Sequence, residues 1–176
     1  MFRHAFILCV LVGNSLAVHA ETSRDWWVDD VLLGALPLTA LWMTFSNDDR
    51  EGRFQVAKSI GLNTLVVATL KKTVDRERPN GNCCDAFPSG HTATGFVSAA
   101  FIHRRYGFRT ALPAYVVATY VGYARVDADK HFTEDVVAGA AIGFLSSWFL
   151  TSRYENTQIA PIMQKNLYGL QVSGRF

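Results

Sequence analysis

Residues 71–91 read KKTVDRERPNGNCCDAFPSGH and residues 124–135 read ARVDADKHFTED. Both are polar interruptions in a largely apolar chain, and the segments around them decide the fold. Residues 31–45, 54–70, 111–124 and 135–150 are apolar runs, with Pro37 placed to kink the first. Ser89 is positioned to cap a further helix through Thr92, Ala93, Phe96, Val97, Ala100 and Phe101, which closes at His103-Arg104-Arg105 and Gly107. No period-2 alternation runs through residues 26–150, so the segments read as helices. The expected fold is all-α, a bundle of about five mature helices, or six with the N-terminal segment. Residues 46–53, 73–87 and 125–133 carry the breakers and charge of connections. Gly139 and Gly143 stand at the GxxxG spacing that lets two helix backbones approach closely. The tail, residues 151–176, is mixed and takes no assignment.

Composition narrows the class. The chain has 176 residues, 49% hydrophobic and 18% charged, at net charge +2. That size suits one domain, and so small a net charge gives no field to attract nucleic acid. Residues 1–20 read as a signal peptide or first transmembrane helix, with Arg3 and His4 before an apolar run and Val18-His19-Ala20 as a small-residue cleavage site. Residues 21–150 form the helical bundle and residues 151–176 the tail. The apolar runs are shorter than the roughly 20 residues of a membrane span. Charge placement favours the bilayer nonetheless. Arg50, Arg53, Arg104, Arg105, Arg109 and Arg153 all fall on one set of connections, which the positive-inside rule puts in the cytoplasm. The polar clusters then face outward. The expected location is the bacterial inner membrane with a periplasmic site, the soluble periplasm being the alternative. Of three cysteines, Cys9 lies in the signal segment and Cys83 and Cys84 are adjacent, a pattern unlike a zinc site. Free thiols or an intermolecular bridge are both open to that pair.

The polar clusters carry the chemistry. Lys71, Arg78 and Arg125 are cations suited to a phosphoryl group, the guanidinium fork giving bidentate bonds. Taken alone, Lys71 and Lys72 are an ordinary charged helix end, and Arg78 has Asp75 and Glu77 nearby as partners. Ser89 and Gly90 at a helix N-terminus gather a hydroxyl and backbone N–H groups where the dipole favours an anion, and His91 follows in the first turn. A bland cap has no use for that histidine. His131 and Asp135 are four residues apart, so on a helix they share a face, and a carboxylate bonded to one imidazole nitrogen prepares the other as a nucleophile. The bland alternative is a helix start with acidic residues on the dipole.

In order and spacing, the clusters Lys71-(six residues)-Arg78-Pro79, Pro88-Ser89-Gly90-His91 and Arg125-(five residues)-His131-(three residues)-Asp135 resemble those of the phosphatidic-acid phosphatase type 2 / vanadium haloperoxidase superfamily. The resemblance spans roughly residues 60–150, and one position departs from it: Ala124 stands where the family pattern has Ser. It implies His131 as nucleophile through a phosphohistidine, Asp135 orienting it, and His91 protonating the leaving oxygen and then activating water. It also implies Lys71, Arg78, Arg125, Ser89 and the Gly90 N–H as phosphate ligands, with no metal and no cofactor. Neither Cys83 nor Cys84 is followed by Arg at the cysteine-phosphatase spacing, and no Walker A loop exists.

The expected function is therefore a phosphatase for a lipid monoester or diphosphate, of phosphatidate, phosphatidylglycerophosphate, undecaprenyl diphosphate or lipid A type. Its partners are that lipid and the membrane, and its oligomeric state is not legible. The competing readings are a soluble periplasmic acid phosphatase, a vanadate-dependent haloperoxidase, and a non-enzymatic membrane protein with a vestigial site.

Overall fold

A computed structural model describes residues 26–82, 84–154, 157–164 and 167–174, with side chains described for residues 31–82 and 84–154. The expected signal peptide or first transmembrane helix, residues 1–20, lies outside the described residues. The chain divides into two compact units, residues 1–31 and 32–176. Five helices follow in order: α1 (Trp26–Ser46), α2 (Arg50–Thr73), α3 (Gly90–Tyr106), α4 (Phe108–Asp127) and α5 (Thr133–Trp148). These five helices are the expected all-α bundle. After it, β1 (Thr157–Gln164) and β2 (Leu167–Gly174) form an antiparallel hairpin in the tail that sequence reading left unassigned, with Thr157 opposite Gly174 and Gln164 opposite Leu167.

Helices α1, α2 and α4 are longer than their apolar runs because polar end turns belong to them. Asp49 caps α2, its Oδ1 accepting the Gly52 N–H at 2.8 Å, so most of the expected charged connection before residue 54 is helix. Lys71 and Lys72 fall in the last turn of α2, where cations suit the dipole. Pro37 and Pro113 are accommodated inside α1 and α4. Gly107, at φ +98°, separates α3 from α4 in a single residue, a conformation that disfavours any side chain.

Helix α3 is central, packed against α2, α4 and α5. The main core joins Leu36 and Ala40 of α1, Val56 of α2, Ala99, Phe101 and Ile102 of α3, and Ala111, Ala114 and Ala118 of α4. So many alanines set the helices close, and the tightest seam is α3 against α5. A Cβ built at Gly139 would collide with the Ser89 carbonyl oxygen, and one at Gly143 with that of Ala93. The GxxxG pair thus brings α5 against the start of α3, where the Ser89 N–H donates to the Asp135 carbonyl at 2.9 Å. That seam joins the second polar cluster to the third.

The far end of α3 is fastened differently. Arg105 donates to both carboxylate oxygens of Asp49, through Nε at 2.7 Å and Nη2 at 2.5 Å, and to the carbonyls of Ser152 and Arg153 at 3.0 Å each. Tyr106 Oη donates to Asp49 Oδ2 at 2.8 Å. Among the described residues no helix is long and apolar enough to cross a membrane.

Candidate active site

The site lies where the C-terminal end of α2, the loop after it, the start of α3 and the α4–α5 loop meet. His131 is buried, only 2% exposed. Its Nδ1 lies 2.7 Å from the Ala86 carbonyl oxygen. A carbonyl can only accept, so Nδ1 carries the proton and Nε2 is left with its lone pair. Burial first, then the positive field of Lys71, Arg125 and Arg78, pushes the imidazole down to about 4 against the Ala86 bond, which favours the charged form. The ring is therefore neutral at physiological pH.

Asp135 sits elsewhere than expected from spacing. His131 precedes α5 rather than lying on it, and Asp135 Oδ2 is 3.9 Å from Nδ1. That oxygen instead accepts the Phe132 N–H at 2.8 Å, closing the start of α5. Oδ1 stands 3.0 Å from Arg76 Nη1, an ion pair without hydrogen-bond alignment. Arg76 also reaches Glu134 at 2.7 Å and covers the Phe132 ring, its guanidinium carbon 4.7 Å from the centroid. The main chain at Ala86, rather than the carboxylate, fixes the imidazole tautomer. Asp135 braces the loop that carries it.

Among the cations, Arg78 binds neither Asp75 nor Glu77. Its fork holds Asp85, with Nε to Oδ1 at 2.8 Å and Nη2 to Oδ2 at 2.9 Å. That pairing, chiefly the Arg78 hydrogen bonds, holds the Asp85 carboxyl below the usual range. Lys71 donates to the Asp85 carbonyl and lies 4.0 Å from its carboxylate. Burial lowers the ammonium's pKa, Arg78 and Arg125 adding to the effect while Asp85 and Asp135 oppose it. Arg125 lies in the last turn of α4, and its carbonyl accepts the N–H groups of Lys130 and His131 at 3.1 and 3.2 Å, so the cation and the histidine lie close along the chain. Ala124, just before it, is buried in that last turn.

Ser89 is the N-cap residue of α3 but makes no side-chain cap bond; its buried Oγ lies 3.0 Å from Thr92 Oγ1. Gly90 opens α3, and a Cβ there would rest in ordinary contact with Val67 and Lys71. Gly90, His91 and Lys71 line one pocket of about 240 Å³ that continues between α1, α2 and α3 past Leu33, Val67, Ala68 and Asn63. Asp85, Ala86, Arg76 and Asn63 were not anticipated from sequence. A main-chain acceptor leaves no sequence signal, while Asp85 stands as an acidic residue in the loop between Arg78-Pro79 and Pro88–His91. Cys84, beside Asp85, is disulfide-bonded. The other cysteines, Cys9 and Cys83, lie outside the described residues. Among the described residues no group of His, Cys, Asp or Glu converges as a metal site would.

Three cations around a buried, neutral, tautomer-fixed histidine, with a second histidine lining the adjoining pocket, suit an anion in a helical bundle. The model of the PAP2 superfamily matches residues 53–159, and the chain belongs to that family. A lipid A 1-phosphatase of Helicobacter pylori is 30% identical over 146 residues, 78% of this chain and 73% of that protein. A lipid A 1-phosphatase of Porphyromonas gingivalis is 35% identical over 99 residues, covering 53% of this chain but 22% of the relative. A lipid A 4'-phosphatase of Helicobacter pylori is 35% identical over 79 residues, or 45% of this chain and 40% of the relative. The chain thus spans less than half the length of these last two. In structure it is similar to LpxE of Aquifex aeolicus, with TM-score 0.58 and 23% identity over 73% of this chain and 87% of that one. It is also similar to a Bacillus subtilis transmembrane PAP2-type phosphatidylglycerolphosphate phosphatase, with TM-score 0.54 and 21% identity over 82% and 92%. At these identities the structural likeness is one of fold.

Proposed function

We propose that the chain is a phosphatase of lipid phosphates that works through a phosphohistidine on His131, with residues 21–150 as its catalytic bundle. The observation that carries this is the Nδ1 bond to Ala86, which leaves Nε2 as a lone-pair nucleophile in a ring surrounded by cations. Nε2 attacks phosphorus, the ester P–O bond breaks, and His91 gives its proton to the departing oxygen. Water then attacks the phosphorus, returning a proton to His91, and the P–N bond breaks to release phosphate and restore His131. Lys71, Arg78 and Arg125 offset the charge on the equatorial oxygens, with Ser89 and Gly90 at the α3 N-terminus; such preorganised electrostatics is the main catalytic need in phosphoryl transfer. The relatives named as lipid A phosphatases support a lipid carrier.

The bundle's outer face supports action at a membrane. Leu38, Trp42 and Phe45 of α1, Leu65 of α2, Val116 of α4 and Val137 of α5 are all more than half exposed. That much outward apolar surface suits lipid better than water. We place the site at the periplasmic side of the inner membrane. The test is phosphate release from a panel of lipid phosphates by membrane fractions and detergent extracts, with His131→Ala as control. Loss of activity in the variant and acid-labile label on the wild-type chain are expected. Wild-type rates in His131→Ala would refute the reading.

A further inference from the structure

Resting on that reading, we infer that Arg76 is a positioning residue for His131: it holds Asp135 back from the imidazole, so that the Ala86 carbonyl and not the carboxylate orients the ring. Arg76 stands between Lys71 and Arg78 in the loop after α2. Its main chain and its side chain close one circuit of contacts around His131. The Arg76 carbonyl accepts the Ala86 N–H at 3.1 Å, and the Ala86 carbonyl accepts from His131 Nδ1 at 2.7 Å. The next residue, Phe132, donates its N–H to Asp135 Oδ2 at 2.8 Å, and Asp135 Oδ1 returns to Arg76 Nη1 at 3.0 Å. Glu134, 2.7 Å from Nη2, and the Phe132 ring, with its centroid 4.7 Å from the guanidinium carbon, steady the Arg76 side chain in that place.

Exposed ion pairs contribute little, but this one has a buried end. The Arg76 side chain is 31% exposed and that of Asp135 0%. Taking the cation from such a pair leaves a buried carboxylate uncompensated. Asp135 Oδ2 stands 3.9 Å from His131 Nδ1, so without Arg76 the imidazole is a partner within reach. A carboxylate that took the Nδ1 proton's bond from Ala86 would raise the basicity of the ring and put a proton where the lone pair is needed. The other charged groups that act on His131 are Lys71 of α2, Arg78 and Asp85 of the loop after it, and Arg125 of α4, while α3 carries His91 in its first turn. Arg78 already holds the Asp85 carboxylate. Asp135 is therefore the acid that Arg76 governs.

The test uses the full chain in detergent micelles, with phosphatidate as substrate and the His131 ring followed by NMR, its resonances assigned by their loss in His131→Asn. Arg76→Gln should lower kcat about ten- to a hundredfold with KM changed less than about twofold, because the ring is misplaced while the phosphate ligands stay. The ring should titrate about one pH unit above its value of about 4, and the acid limb of kcat/KM should move up with it. Arg76→Lys keeps the charge but not the fork, and should fall between wild type and Arg76→Gln in both readouts. In an Asp135→Asn background, Arg76→Gln should add little to either. Should Arg76→Gln not fold, Arg76→Lys is read against wild type by the same two measurements. A rise in KM at unchanged kcat would put Arg76 on the substrate, and an unmoved ring, or an undiminished loss in the Asp135→Asn background, would leave it a surface ion pair; each overturns the inference. Wild type that releases phosphate from no lipid phosphate overturns the phosphatase reading, while the ring titration, which needs no substrate, still decides the role of Arg76.

Discussion

The depressed basicity of His131 should be visible as a stability that drains away on acidification. The perturbation is a fall from pH 7 to pH 4 in wild type and in His131→Asn, which keeps an N–H donor for Ala86 but has nothing to titrate. In the folded chain the imidazole titrates at about 4 against an ordinary value of 6.5, with burial as the main cause. The unfolded chain therefore binds a proton that the folded chain refuses throughout the interval between those values. Stability from the neutral ring is complete above 6.5 and is lost as pH falls toward 4. At about 1.4 kcal/mol per pH unit, the interval corresponds to about 3 kcal/mol. Denaturant unfolding of both proteins, differenced at each pH, isolates this residue from His91 and His103. Wild type should lose about 3 kcal/mol relative to the variant between pH 7 and pH 4, and the His131 ring resonances should stay those of a neutral imidazole through pH 6. A ring that titrates near 6.5, or a difference that is flat with pH, would show that neither burial nor the three cations act on it as the geometry requires.

Three other perturbations probe separate parts of the design. Gly139→Ala drives a methyl into the Ser89 carbonyl and should cost about 1–3 kcal/mol of stability, together with activity, because the α3–α5 seam holds the site; unchanged melting would mean the seam is looser than described. Asp85→Asn removes the charge that occupies the Arg78 fork, so orthophosphate should inhibit about two- to fivefold more tightly, the range of a half-exposed ion pair; weaker inhibition would instead make Asp85 a support for Arg78. Arg105→Met strands the buried Asp49 carboxylate and should cost about 3–5 kcal/mol. Its turnover per folded molecule should be preserved, since Arg105 sits at the end of α3 away from the site; a fall in turnover of folded protein would show that the two ends communicate.

What could be read from sequence differed between helices and site for physical reasons. Helix type and number were legible because apolar runs bounded by Gly107, by charged turns and by loop breakers leave few other solutions. Helix ends were not, since the turns that extend α2 back to Arg50 and α4 on to Asp127 are polar and resemble loop until capped. The hairpin was missed because its strands, with Pro161 in one and Gly169 in the other, lack clean alternation. Gly139 and Gly143 announced a close approach, and the partner proved to be the N-terminal half of α3. At the site, residue types and spacing identified the charged groups, but not the pairings among them. Spacing alone gave Arg78 two acidic neighbours and His131 a carboxylate, while the chain path gave Arg78 to Asp85 and His131 to the Ala86 carbonyl.

That last exchange bears on how the His131 ring stays neutral. A carboxylate bonded to Nδ1 would raise the basicity of His131 and draw a proton onto the ring, and a protonated imidazole has no lone pair for phosphorus. A main-chain carbonyl orients the same nitrogen with a partial charge only, so burial, with the three cations, keeps the ring neutral. In the proposed mechanism Asp135, 3.9 Å off, would still lie near enough to steady positive charge on the imidazole once its Nε2 bonds to phosphorus. The arrangement separates two demands that one hydrogen bond would set against each other. In the proposed mechanism Ala86 would hold the ring ready before attack, and Asp135 would act as charge develops. Replacing Asp135 with Asn should therefore slow phosphorylation of His131 more than it alters the ring's resting protonation. A ring that titrates unchanged in Asp135→Asn while turnover falls would separate the two roles, whereas a large shift in its titration would return orientation to the carboxylate.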